Sequence, residues 1–61
     1  PGWIANERGW KYVLKNGYYA ASTWIQDTDG KWYYFDEASL MVTNQTTPDG
    51  YYVGADGVWN E

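Results

Sequence analysis

The chain contains no cysteine and no histidine. The first absence excludes disulfides and thiolate metal sites. The second removes the commonest general base and metal ligand, and leaves Ser22 and Ser39 with no imidazole to activate them. Only four of the 61 residues are Lys or Arg, and the formal net charge is −4. Phosphate backbones and anionic membrane surfaces are bound through clusters of basic side chains, so neither is an expected partner. An acidic surface suits a cationic ligand instead. No apolar run approaches the roughly 20 residues that cross a bilayer, so no membrane insertion is expected. Large aliphatic residues are few. The chain is short enough for one domain at most, and a domain of this size buries only about 60% of its unfolded surface. With no disulfide to help, packing or an outside partner must hold it. It starts at Pro1 rather than Met and shows no signal peptide, which suits a piece of a longer protein, expected from its C-terminal end.

What the chain does have is aromatic rings: five Trp, seven Tyr and one Phe. They recur on one plan. The first segment runs Gly2-Trp3-Ile4 to Gly9-Trp10-Lys11-Tyr12-Val13, then Asn16-Gly17-Tyr18-Tyr19. The second runs Thr23-Trp24-Ile25-Gln26 to Gly30-Lys31-Trp32-Tyr33-Tyr34-Phe35-Asp36, then Ser39-Leu40-Met41. The third is partial: Asp49-Gly50-Tyr51-Tyr52-Val53, then Asp56-Gly57-Val58-Trp59. Trp3 to Trp24 and Gly9 to Gly30 are each 21 positions, and Tyr33 to Tyr51 is 18. A period near twenty is too short for an independent domain, but it suits hairpins that each bury a neighbour's apolar face.

Each segment reads as β. Trp, Tyr, Phe, Val, Ile and Thr favour pleated surfaces. Alternation places Trp32 and Tyr34 on one face, and Tyr33 and Phe35 on the other. Asn16-Gly17, Asp29-Gly30, Asp49-Gly50 and Asp56-Gly57 are turn dipeptides that tolerate positive φ. The stretch from Asp36 to Val42 is the only helix-like one and is too short to stand alone. Residues Asn44 to Pro48 read as a loop. The expected fold is all-β, with tandem β-hairpin repeats stacked as a short solenoid. It forms a single repeat module over 1–61, with full repeats at 2–20 and 22–44 and a terminal half-repeat at 45–61.

The pattern of Gly-Trp, a short turn, Gly-x-Trp-Tyr-Tyr-Phe-Asp and a small-residue turn ending in Met resembles the choline-binding, or cell-wall-binding, repeat family of Gram-positive bacterial surface proteins. The second segment, Thr23 to Met41, is the best match. The first has Tyr19 where the family often has Met, and the third lacks its leading Gly-Trp. The resemblance implies choline held between consecutive hairpins by three aromatic residues, two from one hairpin and one from the Gly-Trp of the next. Carried over, the first box is Trp3, Trp10 and Trp24, with Tyr19 near the Met position. The second begins with Trp24 and Trp32 plus Met41. Its third ring is missing unless Tyr51 or Tyr52 substitutes. The resemblance further implies a non-catalytic module without cofactor or metal. It would anchor a larger, secreted protein to choline of teichoic acids on the extracellular face of the cell wall.

Structural readings of the same residues compete. The Trp side chains can simply pack between repeats, Trp59 as a terminal cap above all. The Tyr33-Tyr34 and Tyr51-Tyr52 pairs read as structural, since one of each must face inward. Met41 serves as filler. Asp27-Thr28-Asp29-Gly30 has two ligands of a calcium loop, but it lacks the rest and reads as a hairpin turn. Asp36 and Glu37 have no visible partner across a cleft for glycoside hydrolysis. Two other functions stay open: a carbohydrate-binding repeat module whose rings stack on sugar faces, and a structural spacer or oligomerisation solenoid with every aromatic buried.

Overall fold

A computed structural model describes residues 2–59. It contains six strands: β1 (Gly2–Asn6), β2 (Gly9–Val13), β3 (Thr23–Gln26), β4 (Trp32–Phe35), β5 (Gln45–Thr46) and β6 (Tyr52–Val53). They pair antiparallel as β1-β2, β3-β4 and β5-β6, giving three separate two-stranded sheets. Among the described residues there is no helix, and the stretch after Asp36 is a turn. The fold is all-β, built from tandem hairpins.

The loop expected over Asn44 to Pro48 is corrected: Gln45 pairs with Val53 and Thr46 with Tyr52. The sequence of this segment is polar, but its strand partner carries Val53, a fully buried side chain, and that pairing overrides local composition. Pro48 follows the paired residues and so removes no ladder N–H. It lies instead in the turn closed by Gly50 N–H donating to the Thr47 carbonyl at 2.9 Å.

Each hairpin is followed by a second tight turn. The Gly17, Ser39 and Gly57 amides donate to the carbonyls of Leu14, Asp36 and Gly54 at 2.9, 2.9 and 3.0 Å. The chain then returns along the strand it has just left, through the bridges Val13 to Tyr19, Phe35 to Met41 and Val53 to Trp59. These returning arms tie the units together. Met41 N–H donates to the Trp10 carbonyl at 2.9 Å, and Trp59 N–H donates to the Trp32 carbonyl at 3.0 Å. The second and third units therefore each hydrogen-bond to the second strand of the unit before.

The core is small and made largely of rings. Ala20, Phe35 and Val53 are fully buried, and Tyr34 and Val42 nearly so. Strand alternation divides the middle hairpin between its neighbours. Phe35 faces the first hairpin, where its ring lies 5.6 Å from Trp3 and 6.3 Å from Tyr12. Tyr34 clusters with Val42 and Val53, with Trp24 and Trp59 packed against them.

Candidate functional site

The hairpin registers make the three units directly comparable. Gly2 opposes Val13, Thr23 opposes Phe35, and Gln45 opposes Val53. Counting from these pairs, Trp3, Trp24 and Thr46 occupy one position. Trp10 and Trp32 share a second, and Lys11, Tyr33 and Tyr51 a third. Tyr19, Met41 and Trp59 share a fourth, each bridging its own hairpin.

Two aromatic cavities lie between consecutive hairpins. The first, of about 340 Å³, is lined by Trp3, Trp10, Asp27, Tyr33, Met41 and Asp56. Its rings meet edge to face: Trp3 and Trp10 centroids are 6.0 Å apart at 89°, and Trp3 and Tyr33 are 4.9 Å apart at 82°. The second, of about 250 Å³, is lined by Trp24, Trp32, Asp49, Tyr51 and Trp59. Trp24 lies 6.0 Å from Tyr51 at 80°, and Tyr51 lies 5.5 Å from Trp59 at 81°. Both cavities follow one recipe. The earlier hairpin supplies two Trp walls, the next supplies one Tyr, and the residue on that hairpin's returning arm, Met41 or Trp59, closes the side.

Carboxylates orient these walls. The Trp3 indole N–H donates to Asp27 Oδ2 at 2.8 Å, and the Trp24 indole N–H donates to Asp49 Oδ2 at 2.8 Å. The Tyr33 hydroxyl donates to Asp29 Oδ2 at 3.2 Å. Burial, helped by the Asp29 carboxylate, raises the Tyr33 pKa above 10.0, so its phenol stays neutral. The Thr47 hydroxyl, with the Trp24 indole second, holds the Asp49 carboxyl below the usual aspartate range. Such a cavity offers ring faces and a negative rim. A quaternary ammonium, which cannot donate a hydrogen bond, is held by ring quadrupoles and dispersion in such a setting.

The grouping expected from the sequence is corrected in two places. Trp24 does not join Trp3 and Trp10. It pairs across the sheet with Tyr34, their rings 5.1 Å apart, and so lies on the face of the middle hairpin turned to the third. The face turned to the first hairpin carries Tyr33, and this ring completes the first cavity. Met41 also changes place: its returning arm runs beside Trp10, so it lines the first cavity rather than the second. Trp32 lies with Trp24 as expected. Tyr19 lies in neither cavity, and the Lys11 Nζ stands 4.6 Å from its ring centroid.

In sequence Tyr33 reads as structural, Tyr51 as an uncertain substitute and Trp59 as a cap; in the fold all three are walls. The signal that could have found them is the 18-residue spacing, which relates Met41 to Trp59 just as it relates Tyr33 to Tyr51. Asp27, Asp49 and Asp56 read only as turn residues, and Asp27 does sit in a turn, its carbonyl accepting Gly30 N–H at 2.9 Å. Asp36 and Glu37 line a third groove of about 430 Å³ and of mixed character, with Ser22, Gln45 and Thr46 beside Tyr34, Val42 and Pro48.

A family model described as the choline-binding repeat matches residues 28–59. The chain is similar to the crystal structure of the choline-binding domain of Spr1274 in Streptococcus pneumoniae, with a TM-score of 0.82 and 33% identity, covering 98% of this chain and 70% of that one. It is also similar to truncated alternansucrase from Leuconostoc mesenteroides, with a TM-score of 0.82 and 36% identity, covering 95% of this chain but 6% of the enzyme. A glucosyltransferase-S of Streptococcus mutans is 37% identical over 41 residues, 67% of this chain and 3% of that protein's length.

Proposed function

The chain belongs to the choline-binding repeat family, and from that premise we propose that it is the non-catalytic wall-anchoring module of a larger extracellular protein. It holds choline groups of teichoic acids in its two inter-hairpin cavities. The ligand-binding residues are Trp3, Trp10, Tyr33 and Met41 in the first, and Trp24, Trp32, Tyr51 and Trp59 in the second. The observation that carries this reading is the repetition of one ring arrangement, with its carboxylate, at both junctions.

The energetics favour a weak, repeated site. Each ring face contributes about 0.5–2 kcal/mol to a cation, depending on desolvation. The three ring faces of the first cavity give a Kd on the order of a millimolar, and the fourth ring of the second, Trp59, tightens that site somewhat. Two such sites on one rigid stack bind a polymer bearing many choline groups more tightly than either alone, because the second contact is intramolecular. Several ring walls stay open to solvent, with Trp10 46%, Trp32 37% and Tyr51 47% exposed, which argues against a spacer that buries all its aromatics.

The test is a titration followed by Trp fluorescence. Choline at millimolar concentration changes the signal, and ethanolamine changes it much less, because its strongly hydrated ammonium is costly to strip of water. Equal responses to the two amines overturn the cation-box reading. The groove that sets the polar side chains of Ser22, Asp36, Glu37 and Gln45 beside the Tyr34 ring supports a second reading as a carbohydrate-binding module. A response to oligosaccharide alone would select it.

A further inference from the structure

Asp27 and Asp49 each lie four residues after the residue that opens the paired register of their hairpin, Thr23 and Gln45, Asp27 as the first residue of its turn and Asp49 as the third of a turn that opens at Thr47. Each reaches back to the preceding hairpin and accepts the indole N–H of its Trp wall, at the same 2.8 Å, across 24 and 25 residues of sequence. Each also lines the cavity that this wall bounds. One hairpin thus supplies the wall and the next supplies the anchor that fixes its angle. Two independent turns, with different sequences around them, arrive at one geometry.

We infer that Asp27 and Asp49 are the specificity-determining residues of the two cavities: each positions one Trp wall and makes its cavity prefer a cation to a neutral molecule of the same shape. The inference rests on the choline reading. Two physical effects support it. A carboxylate at the indole N–H pushes electron density into the ring and strengthens the negative face that meets an ammonium. Its full charge also attracts a cation at the rim of the cavity, an attraction that added salt screens. Neither effect helps an uncharged ligand. The first hairpin gives an internal contrast. At the position of Asp27 it carries neutral Asn6, whose Oδ1 accepts the Arg8 amide at 2.8 Å. At the position of Tyr33 it carries Lys11, a cation of the chain's own, set over the Tyr19 ring.

A carboxylate that merely shapes its turn makes a different prediction, and Asp→Asn separates the two. Asparagine keeps an acceptor for the indole N–H and removes the charge. The chain, D27N, D49N and the double variant are titrated with choline and with 3,3-dimethyl-1-butanol, the uncharged carbon isostere of choline, following indole NMR shifts at low and high salt. The expected result is a loss of roughly three- to fivefold in choline affinity at the altered cavity, smaller at high salt, with the isostere unchanged. D27A and D49A, which also lose the acceptor, weaken the isostere as well, reporting the positioning role. If the parent chain binds choline and the ratio of the two affinities is the same in all the variants, the inference is overturned. If the parent chain does not distinguish choline from its isostere, the choline reading falls, and this inference with it.

Discussion

Met41 lies so close to Gly57 that a methyl group placed on the glycine would stand 2.6 Å from the Met41 sulfur. Gly57 belongs to the last turn of the third unit and has φ of +81°. Met41 lines the cavity between the first two hairpins, where Asp56 joins it. The third unit therefore shapes a site whose Trp walls lie on the first. The cavity nearest the amino terminus is thus lined by all three units, although its rings come from two.

A matched pair of substitutions tests this coupling. Gly17 holds the equivalent turn position in the first unit, has φ of +87°, and has open space where its Cβ would go. Gly17→Ala and Gly57→Ala each force a left-handed backbone on alanine, costing about 1–2 kcal/mol. That lowers the melting temperature by roughly 4–8 °C per kcal/mol for a domain of this size. Gly57→Ala must also push Met41 aside. Choline affinity of the first cavity is expected to fall several-fold in Gly57→Ala and to stay unchanged in Gly17→Ala, read by thermal melts and calorimetric titration. Equal affinities in the two variants would show that Met41 contributes nothing as a wall.

The two cavities share no Trp, so they fail separately. Trp10→Ala is expected to abolish the first and Trp32→Ala the second, each reducing the calorimetric stoichiometry from the two choline of the proposed reading to one. Both side chains are exposed, so both variants fold and melt close to the parent. Trp24→Ala also removes only the second cavity. It empties a packed place beside Tyr34, Val42 and Val53, however, and costs about 3–5 kcal/mol, most of what a domain this small has to lose. Loss of both sites in a folded Trp24→Ala variant would restore the shared wall that the sequence suggested.

Much of this fold is legible without coordinates, because its signals are local. Asn-Gly and Asp-Gly turns and runs such as Trp32-Tyr33-Tyr34-Phe35 announce hairpins from a few residues at a time. The pairing of Gln45 and Thr46 is not legible that way, since what holds them is Val53 on the partner strand and not their own chemistry. The same limit governs the site. Trp3, Trp10, Trp24 and Trp32 stand out as ring faces, but which Trp meets which depends on the side of the pleat each occupies. A single step along β4, from Tyr33 to Tyr34, decides whether a ring looks to the first unit or the third. Asp27 and Asp49 are hidden for a related reason: a turn aspartate looks the same in sequence whether or not an indole from the previous hairpin reaches it.

Acidity and alkalinity should act at opposite ends of the range and leave the middle flat. With neither His nor Cys, no side chain of ordinary pKa titrates between about pH 5 and 8, so choline affinity is expected to be constant there. Asp49 is held below its ordinary value of 3.8 by the Thr47 hydroxyl first and the Trp24 indole second. A folded pKa below the unfolded one gives a contribution that is present above the unfolded value and lost as pH falls through the folded one. The second cavity should therefore keep its charged rim down to and below pH 3.8 and lose it only in stronger acid. Tyr33 runs the other way. Its pKa is raised above 10.0 by burial first and the Asp29 carboxylate second, so its contribution is complete below pH 10.0 and is lost as pH rises through the folded value. Ionising that phenol puts a charge on the ring that closes the first cavity, beside carboxylates that repel it. Melting temperature and choline titration from about pH 3 to 11 check both limbs. A roughly tenfold change in Kd between about pH 5.5 and 8 would mean that a group other than these governs binding.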